Sequence, residues 1–122
     1  MKLRLQGNSV RLRLTRSEVE RLRETGLVQE STEFGAGVAL AYRLQTRLEL
    51  GPLETAYHQG SMTISVSKDA AQAWAGSDEV GLYGQFGALA ISVEKDFRCL
   101  TRARDDERDA YPHPGQTSET GS

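Results

Sequence analysis

Lys2, Arg4, Arg11, Arg13 and Arg16 are the five cations of the first sixteen residues, and the first carboxylate after them is Glu18. Side chains of this kind, close together and without acids, recognise anions through charge and multiple N–H donors. The chain of 122 residues carries a formal net charge of −2, so with these five positive charges set aside the remainder carries −7. The basic segment therefore stands on an acidic body. A pI near 5.7 excludes wholesale coating of nucleic acid and confines any such contact to one local surface.

The spacing of these cations predicts how they are displayed. Residues 2–6 and 9–14 alternate apolar and polar side chains, the period of a half-buried strand. Gly7-Asn8 between them reads as a two-residue hairpin turn. With that turn, paired positions sum to fifteen: Leu3 meets Leu12 and Leu5 meets Val10 on the core side, while Arg4 meets Arg11 and Lys2 meets Arg13 on the other. Like charges directly opposite one another are destabilising. Something negative should relieve them, either an external phosphate backbone or a carboxylate such as Glu30, Glu33 or Glu94. The anion-binding set is thus Lys2, Arg4, Asn8, Arg11, Arg13 and Arg16, with a solvated, internally paired face as the alternative.

Other chemistry is sparse. Glu94, Lys95, Asp96 and Cys99 form one dense polar cluster, but its spacing is that of no zinc motif. A cysteine nucleophile would need a histidine beside it, and the two histidines, His58 and His113, are remote in sequence. Neither a phosphate loop nor a Gly-x-Ser-x-Gly elbow is present. No catalytic residue, metal ligand or cofactor is expected. One cysteine excludes an internal disulfide and fits a reducing, cytoplasmic setting. No apolar run is long enough to span a bilayer, so no membrane contact is expected.

The elements that must hold the ribbon follow from the next residues. Thr15 and Glu18 make a capping box, and Gly26 is placed to end the helix they start. Strands are expected over 27–34, 38–46, 53–59, 62–67, 79–86 and 88–97, with a short helix around Trp74. A shift of 52 residues aligns the halves without a gap from Leu3 to Ala36. Leu22 then falls on Trp74, and Phe34-Gly35-Ala36 falls on Phe86-Gly87-Ala88. The prediction is an α+β, mainly β fold: two ββαββ repeats, 2–46 and 53–97, forming one intramolecular swapped-hairpin barrel with two short helices, within a single domain over 1–100. Its core would take Leu3, Leu5, Val10, Leu12, Leu14, Leu22, Phe34, Leu40 and Tyr42 from one half. Met62, Ile64, Val66, Trp74, Val80, Leu82, Phe86, Leu89, Ile91 and Val93 would come from the other. Residues 101–122 are polar, hold two of the three prolines and read as a flexible tail. Its Asp105, Asp106, Glu107 and Tyr111 form an acidic stretch with an aromatic anchor, suited to a partner.

The stretch from Lys2 to Leu14, with Gly7-Asn8-Ser9 in its middle and a capped helix after it, resembles the swapped-hairpin domains of AbrB- and MazE-like proteins. Ser77-Asp78-Glu79-Val80 stands where that family has Gly-Asp-Glu-Val, and Gly87 to Ile91 matches its Gly-x-Leu-x-Ile strand. The resemblance implies operator DNA binding through basic strand residues, here Arg4 and Arg13 with the turn residue Asn8. It also implies, for the antitoxins, capture of a toxin-like protein by an acidic tail. Thr15 replaces the family's proline, and Ala56 and Ser65 replace Arg4 and Arg13 in the second half. The chain is also similar to a group of small uncharacterised bacterial proteins that open with Gly-Asn-Ser-x-Arg-Leu-Arg-Leu and close with Glu-Lys-Asp-Phe-x-Cys-Leu, a likeness that implies no function. The functional expectation is a non-enzymatic binding module for DNA or an acidic protein surface, able to form oligomers. The alternative is a structural or protein-interaction domain without nucleic acid.

Overall fold

The structure, a computed structural model, describes residues 1–97. Its elements run β1 (Lys2–Gln6), β2 (Ser9–Leu14), α1 (Arg16–Thr25), β3 (Leu27–Gly35), β4 (Val38–Arg47), β5 (Glu54–His58), β6 (Ser61–Ser67), α2 (Lys68–Ala75), β7 (Gly81–Phe86) and β8 (Leu89–Lys95). The order ββαββ thus occurs twice. The strands form two four-stranded sheets, β1-β2-β8-β7 and β3-β4-β6-β5. Each sheet joins a hairpin from the first half to a hairpin from the second. The joints are parallel ladders, β2 with β8 and β4 with β6.

Local chemistry explains the boundaries. In α1 the Thr15 hydroxyl accepts from the Glu18 N–H, and the Glu18 carboxylate accepts from the Thr15 N–H, so the expected capping box forms in full. Gly26 ends the helix at φ 81°, and a Cβ there would meet the Thr46 hydroxyl at 2.8 Å. Ser67 caps α2 in the same way, accepting from the Ala70 N–H. The two helices bury Leu22 and Trp74, the positions that the 52-residue shift equates. Trp74 is fully buried, and its indole N–H donates to the Val80 carbonyl at 3.1 Å.

The expected single closed barrel does not form, because the two sheets stay separate. Where β5 and β7 approach, Leu53, 5% exposed and just before β5, packs on β7. Its Cβ stands 3.3 Å from where a side chain on Gly84 would begin. Leu53 thus packs on the inner face of β7, where Gly84 leaves room for it. At the other junction the α-ammonium of Met1 is ion-paired with both Glu18 and Glu30, and the Tyr42 hydroxyl donates to the Met1 carbonyl at 3.4 Å. Met1 and Leu53 are themselves 52 residues apart, and both are buried.

The core also departs from expectation at its ends. Leu5, Phe34, Val80 and Phe86 are exposed rather than buried. Leu5 and Phe86 both have the inward parity, but Leu5 lies on edge strand β1, outside its buried row partners Val10 and Ile91, and Phe86 lies on edge strand β7 in the last row before its turn. Phe34 falls in the register break between Glu33 and Gly35. Val80 turns outward while its carbonyl accepts from Trp74 and from the Lys95 N–H. Met1, Val28, Leu44 and Leu53 join the core instead.

Leu53→Ala should cost about 2–5 kcal/mol in urea unfolding, the range for a truncated buried leucine, whereas Leu50→Ala, exposed on the adjoining loop, should stay within about 0.5 kcal/mol. Equal effects would show that Leu53 does not pack in the core. A pH prediction follows from Met1 and Glu18. Burial opposes both charges, but the hydrogen bonds and attraction between them prevail, raising the ammonium above its ordinary 8.0 and holding the Glu18 carboxyl below 4.5. The Glu18 contribution is present above about pH 4.5 and is lost as pH falls through its lowered folded value. The ammonium contribution is complete below about pH 8 and is lost as pH rises through its raised folded value. Thermal melts should therefore show a plateau between these limits. Glu18→Gln should lower neutral stability by about 1–2 kcal/mol and shrink both limbs.

Candidate functional site

The outer face of the first sheet carries the predicted cations. Antiparallel pairing of β1 with β2 sets Lys2 opposite Arg13 and Arg4 opposite Arg11, the register that the Gly7-Asn8 turn foretold. Of the two turn residues only Gly7 takes a positive φ, 54°. Ladders to β8 and β7 extend these pairs into rows that cross all four strands. One row is Lys2, Arg13, Glu94, Gly81; the next is Arg4, Arg11, Ser92, Tyr83; the last is Gln6, Ser9, Ala90, Gln85.

Glu94 is the internal carboxylate that the like-charge ribbon needed. Its Oε1 lies 3.6 Å from Arg11 Nε and 3.7 Å from Arg13 Nε, and its Oε2 accepts from the Tyr83 hydroxyl at 2.8 Å. Lys2 Nζ lies 3.3 Å from Asp96 Oδ2. Among the described residues, three of the four cations on this face thus meet two carboxylates. The two arginine contacts are long, share one oxygen and involve partly exposed side chains, so each contributes about 0–1 kcal/mol. Arg4 has no ion pair among the described residues. A shallow hollow on the same face is lined by Arg4, Gln6, Ser9, Arg11 and Ser92.

The other predicted site residues lie elsewhere. Asn8 sits in the turn, where its amide donates to the Ala88 carbonyl at 2.6 Å and ties the β1–β2 turn to the β7–β8 turn. Arg16 opens α1 and lines a cleft with Glu20, Asp96 and Phe97, away from the ribbon. The polar cluster at the end of β8 is pulled apart: Glu94 faces the arginines, and Lys95 donates to the Ser77 carbonyl with its Nζ 5.7 Å from the Trp74 ring centre. Cys99 and the acidic tail residues Asp105, Asp106, Glu107 and Tyr111 lie outside the described residues. Among the described residues no group of three or more His, Cys, Asp or Glu side chains is placed to hold a metal ion. No described helix is long and apolar enough to cross a membrane.

Sequence reasoning missed Tyr83. It is 61% exposed on edge strand β7, and its hydroxyl lies 2.8 Å from where a Cβ on Gly81 would stand. The alternation Gly81-x-Tyr83-x-Gln85 was the available signal, since it sets a glycine and a tyrosine two residues apart on one face.

The second sheet lacks this chemistry. The positions 52 residues after Lys2, Arg4, Arg11 and Arg13 are Glu54, Ala56, Thr63 and Ser65. Arg43 stands on that face between Gln29 and Thr63, and its buried Nε has no hydrogen-bond partner among the described residues. Among the described residues, the ribbon of paired cations is therefore on the first sheet alone.

The Tyr83–Glu94 contact is directly measurable. Its hydrogen bond to the carboxylate, then burial and the carboxylate charge, push the Tyr83 phenol above its ordinary 10.0. Glu94→Gln should bring that phenol back toward 10, read as phenolate absorbance at alkaline pH against a Tyr83→Phe blank. An unchanged titration would mean the contact does not persist in solution.

No curated protein and no solved structure matches the chain. The profile of DUF7009, a family of unknown function, matches residues 1–115, and the chain belongs to that family.

Proposed function

We propose that this protein is a non-enzymatic binding module that takes a nucleic-acid backbone on the outer face of the β1-β2-β8-β7 sheet. The observation that carries the reading is the charge balance there: Lys2, Arg4, Arg11 and Arg13 against Glu94 and Asp96, with the pairs to Glu94 held only loosely. A phosphate can replace a shared carboxylate at little cost, since each existing pair is weak. The resemblance to AbrB- and MazE-like domains agrees with this surface and gives it a setting in DNA-linked regulation. Arg4 is the leading contact, Arg11 and Arg13 support it, and Asn8 acts by holding the turn.

A second reading has its own observation. Glu94 and Asp96 already engage these cations, so carboxylates of an acidic protein partner, a toxin-like one included, suit the same ribbon.

With about three phosphates engaged, affinity for an oligonucleotide should fall roughly 20- to 40-fold between 50 and 200 mM salt. Arg4→Glu should weaken binding and reduce the salt slope by about one or more, while Arg43→Glu on the other sheet should leave it in place. Retention on a DNA or heparin matrix that ignores Arg4→Glu would overturn the reading in favour of the protein partner.

A further inference from the structure

We infer that the nucleic acid this face takes is single-stranded, with a base stacked on Tyr83 and the neighbouring phosphate in the hollow beside Arg4 and Arg11. The inference rests on the reading just given and names its ligand class.

Tyr83 is laid down on the sheet. Residues two apart on one face of a strand are separated by about 6.8 Å. The Tyr83 hydroxyl nevertheless reaches the space above Gly81, 2.8 Å from the site of a missing Cβ. The ring therefore runs along β7 over the glycine, and any side chain at position 81 would lift it. Its hydroxyl is anchored on Glu94, while the residue stays 61% exposed. The ring is thus held at its hydroxyl end while most of its surface is open, an arrangement that costs little entropy to use.

The hollow completes the arrangement. Arg4, Arg11, Ser92 and Tyr83 form one continuous row across the sheet, and Arg4, Arg11 and Ser92 line the hollow with Gln6 and Ser9. The Ser9 hydroxyl donates to the Gln6 carbonyl, which leaves the guanidinium groups, the Ser92 hydroxyl and the Gln6 amide as donors for a phosphate. Arg11 and Tyr83 stand two strands apart, about 10 Å between backbones. Cationic positions for a backbone beside an aromatic platform for a base are the two parts that single-strand binding requires. A duplex keeps its base faces stacked inside and can use only the cations.

The test measures binding of the whole chain to three probes at one salt concentration: a labelled 12-mer oligothymidylate, a duplex of equal length, and inorganic polyphosphate. The oligothymidylate should bind tightest. Tyr83→Ala should weaken it about 5- to 100-fold, the effect of losing one stacked base, and should leave polyphosphate binding unchanged. Tyr83→Phe, which keeps the ring, should stay within a few-fold of the parent and guards against a folding defect. Equal affinity for duplex and single strand, or a single-strand affinity indifferent to Tyr83→Ala, would overturn this inference and leave the backbone-binding reading standing. If none of the three probes binds, or if Arg4→Glu changes none of them, that reading falls as well.

Discussion

The parallel ladder between β2 and β8 joins residues about eighty positions apart, and the basic face exists only because of it. On its own, the β1–β2 hairpin would carry Arg4 against Arg11 and Lys2 against Arg13 with nothing to offset them. The ladder brings Glu94 beside Arg13, and β7 then sets Tyr83 beside Ser92. A carboxylate, an aromatic ring and a hydroxyl from the second half thus complete a surface whose charge comes from the first. The same ladder aligns Val10 and Leu12 with Ile91 and Val93, all fully or almost fully buried. Burial on one face and charge on the other are two results of one register.

Much of this was legible from the residues. The hairpin register followed from turn length and alternation, because a two-residue turn admits one pairing. The first helix followed from a local exchange between Thr15 and Glu18, which needs no tertiary partner. The repeat was visible because cap, turn and apolar positions all moved by one offset. Glu94 was one of three acids that could have relieved the arginines. Choosing it over Glu30 required the parallel register, which no local signal carries; Glu30 pairs with Met1 instead.

The misses have a common cause. Alternation states which side of a strand a residue faces, not how far the opposite sheet extends. Leu5 and Phe86 have the right parity and still meet water, because both lie on the edge strands of their sheet, where cover runs out. Barrel closure is likewise a matter of how two sheets meet, which alternation along one strand does not state. Here Leu53 and Met1, neither counted in the expected core, occupy those junctions.

The exchange of hairpins has a consequence for how the chain is made. The partner of β2 ends at Lys95, so the first ribbon emerges from synthesis long before its neighbour does. Until then its inner edge is an unfinished template, open to strands of other molecules. The like charges across that ribbon, unfavourable in the isolated hairpin, also repel a second copy of the same segment. Arginines that can later meet a ligand can therefore first serve as guards against premature self-association, during an interval that slow, long-range strand pairing makes longer.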